Sequence, residues 1–216
     1  MQRPQREETA NWVTHGLGIV LSLFAAGFMI SQLGNASLTL VISCIAYLLA
    51  LIGVYTCSTL SHWYTADFRD GEPQRRFRIL DQAFIYLLIV ASYTPFSVAY
   101  LQATWWWCVL GLMWAIAIGG FVSKIFFAHR VNQVSIWIYI ALGWIPALSG
   151  MPFNQNVPAD VLWNIVAGGL LYTGGTLFLF NDRKQWYFHA IWHIFVIGGS
   201  AVHFWGILQY AIWQQP

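Results

Sequence analysis

The run WYFHAIWHIFVIGGSAVHFWGILQYAI, residues 186–212, contains no Asp, Glu, Lys or Arg. As an α-helix rising 1.5 Å per residue it is long enough to cross the roughly 30 Å of hydrocarbon in a bilayer, and long enough to tilt or extend past it. Within it, His189 and His193 stand four residues apart. That spacing puts both imidazoles on one helix face, about one turn apart. Ionisable groups at membrane depth are costly and point to function by default. The fold and the chemistry therefore meet in one stretch.

Six further apolar runs precede it, at 14–33, 38–62, 79–101, 105–127, 132–150 and 159–180. The breaks are short, apart from the polar WYTADFRDGEPQRRFR of residues 63–78. The chain has 216 residues, 58% hydrophobic and only 8% charged, where a soluble domain carries about 25% charged residues. Too little polar surface is available to cover a globule, so an integral membrane protein is expected. In hydrocarbon every backbone polar group must be paired internally. Runs of this length satisfy that as helices, which predicts an all-α, seven-transmembrane helix bundle: one membrane domain over 1–216 with a short polar segment, 1–13. No small-residue cleavage site follows the first run, so it reads as a retained helix rather than a removed signal peptide.

The positive charges orient the bundle. Arg3 and Arg6 precede the first run. Arg69, Arg75, Arg76 and Arg78 separate the second from the third, Lys124 and Arg130 flank the fourth break, and Arg183 and Lys184 separate the sixth from the seventh. All ten Lys and Arg thus fall on one side of a seven-span chain. The positive-inside rule makes that side cytoplasmic, with the N-terminus inside and the C-terminus outside. A missed or false span would scatter the charges over both sides. With a net charge of +2, bulk charge gives no indication of nucleic-acid binding. Glycine pairs at 119–120, 168–169, 174–175 and 198–199 suit close helix approach. Cys44, Cys57 and Cys108 match no metal or redox spacing and read as small buried hydrophobes. Tyr93–Thr94–Pro95–Phe96 reads as a kink, because proline removes a helical hydrogen bond.

Topology then gathers polar residues from three runs. Asp81 is an acidic residue inside an otherwise apolar run, about one turn from its cytoplasmic end. His62 ends the second run, with Ser58 four residues earlier on the same face, and His189 and His193 begin the seventh. His62, Asp81, His189 and His193 are expected at one depth near the inner surface. Three neutral imidazoles with one open position make a catalytic zinc arrangement. A water at that position would have its pKa lowered to about 7, with Asp81 to orient it or take its proton and Ser58 to bond the water or a substrate carbonyl. Zinc has no redox chemistry, so the reaction would be hydrolysis or a related acyl transfer. Two alternatives stand beside this reading. The histidines can bond backbone carbonyls or each other, or a bis-histidine haem can take them, although haem needs ligands facing across a gap. Of the other histidines, His15 lies at the same level, as an outer support of the site or an interfacial residue. His129 sits in a basic loop and is expected to be solvated. His203, about 15 Å along the helix from His193, reads as a packing hydrogen bond.

The pattern Ser58-x-x-x-His62, then Asp81, then His189-x-x-x-His193 resembles the signature of the haemolysin III family, which is grouped with the progestin and adipoQ receptors and, more remotely, the alkaline ceramidases. The likeness covers nearly the whole chain: EETANWVTHG at 7–16, YTPF at 93–96, LGW at 142–144, HAIWH at 189–193 and GGSAVHF at 198–204. It implies a seven-helix fold, zinc held by His62, His189 and His193, and Asp81 and Ser58 beside the water. Many relatives carry histidine where this chain has Gln82, which bears on an accessory role of that side chain and not on the metal ligands.

Three functions follow. The first is a zinc-dependent hydrolase in the cytoplasmic membrane, cleaving a lipid amide or ester, of which a ceramide-like amide is one form; its partners would be membrane lipids. The second is a receptor or sensor of lipid or membrane state in which zinc is structural. The third, a pore-forming cytolysin, finds little support, since no charged stripe runs along several helices. A retinal protein lacks the lysine it needs in the seventh helix. The charge split is directly testable: a reporter active only outside the cytoplasm, fused after residue 216, is expected to be active, and a cytoplasmic C-terminus would break the seven-span count.

Overall fold

A computed structural model describes residues 5–66, 71–100, 104–127, 136–148 and 157–214. Its elements are α1 (Gln5–Gln32), α2 (Leu38–Ala66), α3 (Glu72–Tyr100), α4 (Thr104–Phe127), α5 (Ile136–Leu148), α6 (Ala159–Phe180) and α7 (Phe188–Gly206), the last continued by a π-helix over Ile207–Trp213. The chain is an integral membrane helix bundle. Six of its helices are long and apolar enough to span, and α5 is a shorter apolar helix of 13 described residues. Sequential helices pack side by side, and α7 returns against α1 to close the bundle.

Large apolar side chains cover the outside, Phe24, Trp163 and Leu148 among the most exposed, as hydrocarbon rather than water requires. Tyr47, Phe96, Met29 and Met113 fill the interior. Cys44 and Cys57 are buried as expected, whereas Cys108 is exposed on α4. An apolar run does not say which face meets lipid, and a thiol on the lipid face costs little. Pro95 lies inside an α3 that continues through it.

Helix limits differ from the apolar runs where polar residues join a helix. α1 starts at Gln5 instead of near residue 14, and α3 at Glu72 instead of 79. Glu72 in the first turn of α3 opposes the helix dipole and accepts from Arg76 at 3.1 Å. The seventh span is not uniform either. Asn164 of α6 packs where Gly206 has no side chain, and its Nδ2 donates to the Val202 carbonyl at 3.1 Å. An inserted side chain of this kind loosens the i→i−4 ladder, and the wider π-turns begin at the next residue.

The glycine pairs act as close-approach points. One member of each pair faces a ring on a neighbouring helix: Gly120 on Tyr86, Gly168 on His203, Gly175 on Trp192 and Phe195, and Gly199 on Tyr172. The other members, such as Gly119, have room. Gly120→Val must therefore push Tyr86 aside, and overpacking of this sort costs about 1–3 kcal/mol. Thermal unfolding in detergent is expected to show a lowered Tm for Gly120→Val and a near wild-type Tm for Gly119→Val.

Candidate metal centre

The residues singled out by topology converge at one end of the bundle. His62 lies near the end of α2, Asp81 in the third turn of α3, and His189 and His193 in the first turns of α7. Each of the three histidines offers a ring nitrogen within 4.8 Å of the others. Ring centroids stand 5.1 Å apart for His62–His189, 5.2 Å for His62–His193 and 4.7 Å for His189–His193. A tetrahedral zinc with bonds of about 2.0–2.1 Å holds its nitrogens roughly 3.4 Å apart, so the rings form a slightly open version of such a set.

The partners of the three rings test the fit further. His62 Nδ1 meets Glu8 Oε2 at 2.6 Å, and His189 Nδ1 meets Asp182 Oδ2 at 3.4 Å. His193 Nδ1 meets Thr14 Oγ1 at 3.0 Å. The Thr14 hydroxyl has one proton, and when it gives that proton to the carbonyl of Ala10 or Asn11, each 2.9 Å away, its oxygen is left to accept from His193. A carboxylate also only accepts. With the Thr14 proton on a carbonyl, all three rings donate from Nδ1, which leaves the lone pair of each neutral imidazole on Nε2. Three lone pairs of one kind, gathered among buried groups, form a donor set for a metal. The histidines do not spend their protons on one another.

Ser58 and Asp81 belong to the same place. Both line a cavity of about 640 Å³ together with His62, His189 and His193, and the Ser58 side chain hydrogen-bonds Asp81. Beyond the polar end the cavity is lined by apolar side chains including Val54, Ile85, Leu88 and Val196, interspersed with Ser92, Tyr172 and Thr173. Gln82 also lines it. Its Oε1 accepts from the buried Lys124 of α4 at 3.1 Å, and its carbonyl accepts from Tyr139 of α5 at 2.8 Å. Gln82 thereby ties three helices beside Asp81.

His15, left open between an outer support and an interfacial role, is buried, with its ring centroid 3.6 Å from that of His193. His203 is the packing residue expected: Nε2 donates to the Ile165 carbonyl at 3.2 Å. His129 lies outside the described residues. Sequence reasoning missed Glu8, Thr14 and Asp182. The signal for α1 was present as Glu8, Asn11 and His15 at helical spacing, with Thr14 adjoining. That polar stripe is inside, since Glu8, Asn11 and His15 are all buried.

Comparison with known proteins shows the family. A profile of the family described as "Haemolysin-III related" matches residues 4–204. The chain is 38% identical over 210 residues to "Hemolysin-3" of Bacillus cereus, covering 96% of this chain and 93% of that protein. It is 35% identical over 208 residues to the "Hemolysin-3 homolog" of Bacillus subtilis (strain 168), covering 96% and 95% respectively. To the "Adiponectin receptor protein" of Drosophila melanogaster it is 26% identical over 229 residues, covering 96% of this chain and 51% of the receptor.

Three ligands drawn from two helices are each indispensable to a three-nitrogen set. The purified wild type is expected to carry about one metal ion per chain by elemental analysis, and His62→Ala, His189→Ala and His193→Ala are each expected to lose it. His203→Ala, whose ring serves packing, is expected to keep it.

Proposed function

The chain belongs to the haemolysin-III family of the progestin and adipoQ receptor superfamily, and from that premise we propose that it is a zinc-dependent intramembrane hydrolase of a lipid amide or ester, a ceramide-like amide being one form. The observation that carries this reading is the meeting of two features in one cavity. Three imidazoles gather beside a carboxylate, and the cavity beyond them is lined by apolar and aromatic side chains, with Ser92, Tyr172 and Thr173 among them. A lipid chain fits the apolar part, and its head-group linkage then falls at the polar end. By the charge distribution that end faces the cytoplasm, in the cytoplasmic membrane.

His62, His189 and His193 would hold the zinc through Nε2. Bound there, zinc supplies Lewis acidity, which polarises a carbonyl and makes water acidic enough to ionise near neutral pH. Asp81 takes a proton from the attacking water and passes it to the leaving nitrogen or oxygen as the acyl bond breaks. Ser58, which lines the same cavity and hydrogen-bonds Asp81, aims that carboxylate and bonds the water or the substrate carbonyl. Low dielectric around the site strengthens each of these interactions relative to water.

A second reading is a receptor or sensor with zinc as a structural clip, favoured by the likeness to a protein named an adiponectin receptor. The name "Hemolysin-3" of the Bacillus cereus relative suggests cytolysis, but the charged residues that line the cavity, Glu8, Arg78, Asp81 and Asp182, all sit toward one end. A water-filled conducting path would need charged groups along several helices, and those lining the cavity are confined to that end.

Asp81→Asn separates the first two readings. Asparagine keeps the size and a hydrogen bond to Ser58 but cannot take up a proton near neutral pH. The variant is expected to retain zinc and to lose about 10²- to 10⁴-fold in lipid hydrolysis, measured as released fatty acid by mass spectrometry. Unchanged hydrolysis would remove Asp81 from the mechanism, and absence of turnover by wild type over a broad lipid panel would favour the receptor.

A further inference from the structure

α1 supplies none of the three ligands, yet two of the three ligand rings are held by it. Glu8, in its first turn, meets His62 of α2, and Thr14 meets His193 of α7. The sequence separations are 54 and 179 residues, so neither contact is an accident of local geometry. Glu8 is only 3% exposed, and its 2.6 Å contact is at the short end for a nitrogen–oxygen hydrogen bond. Such charge-assisted bonds are roughly twice as strong as neutral ones. A carboxylate buried this deeply is costly unless it is well paired, so its position implies a specific duty. His15, one turn below Asn11 on the same helix, completes the contact by lying against the His193 ring.

We propose that α1 is the positioning element of the metal centre, with Glu8 the principal positioning residue and Thr14 the second. Glu8 holds His62 as the Nδ1–H tautomer, aims its Nε2, and raises the basicity of that nitrogen. Thr14 does the same for His193 without a charge. Asp182, in the turn between α6 and α7, serves His189 at a longer 3.4 Å. α1 thereby couples α2 to α7 through the metal: moving it by one turn would release both rings together. Carboxylates opposite a histidine ligand typically contribute 10- to 100-fold in metal affinity. Glu8 and Asp182 also bring negative charge beside what would be a doubly charged cation. The inference rests on reading the three histidines as a metal centre, but it assigns new residues and a new helix to that centre.

The test uses the full chain in detergent, with zinc affinity measured by competition against a chromophoric chelator, and the visible spectrum of the cobalt-substituted protein as a second readout. Glu8→Leu is expected to weaken zinc binding 10- to 100-fold and to shift the cobalt bands, because His62 loses its orientation. Glu8→Gln, which keeps an acceptor but not the charge, is expected to fall between. Thr14→Val is expected to weaken binding several-fold, and Thr14→Ser to restore it. A purely structural role of α1 would lower Tm but leave the cobalt spectrum unchanged in the folded fraction. If Glu8→Leu fails to fold, the Glu8→Gln and Thr14→Val/Thr14→Ser comparisons decide. Wild-type affinity and spectrum in these variants would overturn the proposal, whereas wild-type protein without zinc would overturn the metal-centre reading instead.

Discussion

The arrangement depends on one constraint: three neutral imidazoles must be kept in a single tautomer where little water can help. An imidazole in an apolar interior needs an acceptor for its N–H, or it pays the cost of an unsatisfied donor. Here each ring sets its Nδ1 against an oxygen, from Glu8, Thr14 or Asp182. Those three oxygens come from the start of α1, its third turn and the α6–α7 turn. The site therefore requires α1, α2 and α7 to be in register at one end of the bundle. Helix packing and site chemistry are thus the same requirement seen from two sides.

The membrane-spanning scaffold meets that requirement by closing gaps between helices. Glycines receive aromatic rings at several crossings, and deeper in the interior a polar knot sets the α2–α6–α7 register. Tyr55 and Tyr172 both reach the Ser200 hydroxyl at 2.9 Å, and Tyr47 donates to the Ser200 carbonyl at 3.2 Å. Hydrogen bonds of this kind between membrane helices are modest in energy, but they are directional. They fix the rotation of α7 about its axis, and with it the direction in which His189 and His193 point.

Much of the fold could be read directly, because hydropathy is local: each apolar run is present as a helix within or across the described residues. The convergence of His62, Asp81, His189 and His193 was also legible, since alternating topology brings the end of one span beside the start of another. What could not be read was the duty of polar residues just outside the runs. Glu8 falls in the polar segment 1–13 and Asp182 in the break between two runs, and their partners are remote in sequence or depend on a ring's direction. His15 could not be decided between two roles until α1 was seen against α7. Cys108 shows the converse limit: an apolar run tells that a residue is in the membrane span but not whether it faces lipid or protein. The π-turn after Gly206 was invisible for a similar reason, as it arises from Asn164 on another helix.

The central claim is that His62, His189 and His193 present Nε2 to one zinc ion. X-ray absorption at the zinc edge of the purified wild-type protein tests this most directly. The account predicts about one zinc per chain, nitrogen and oxygen scatterers at about 2.0–2.1 Å, and the outer-shell pattern of three imidazoles. Absence of zinc, sulfur scatterers at about 2.3 Å, or only one imidazole in the pattern would contradict it.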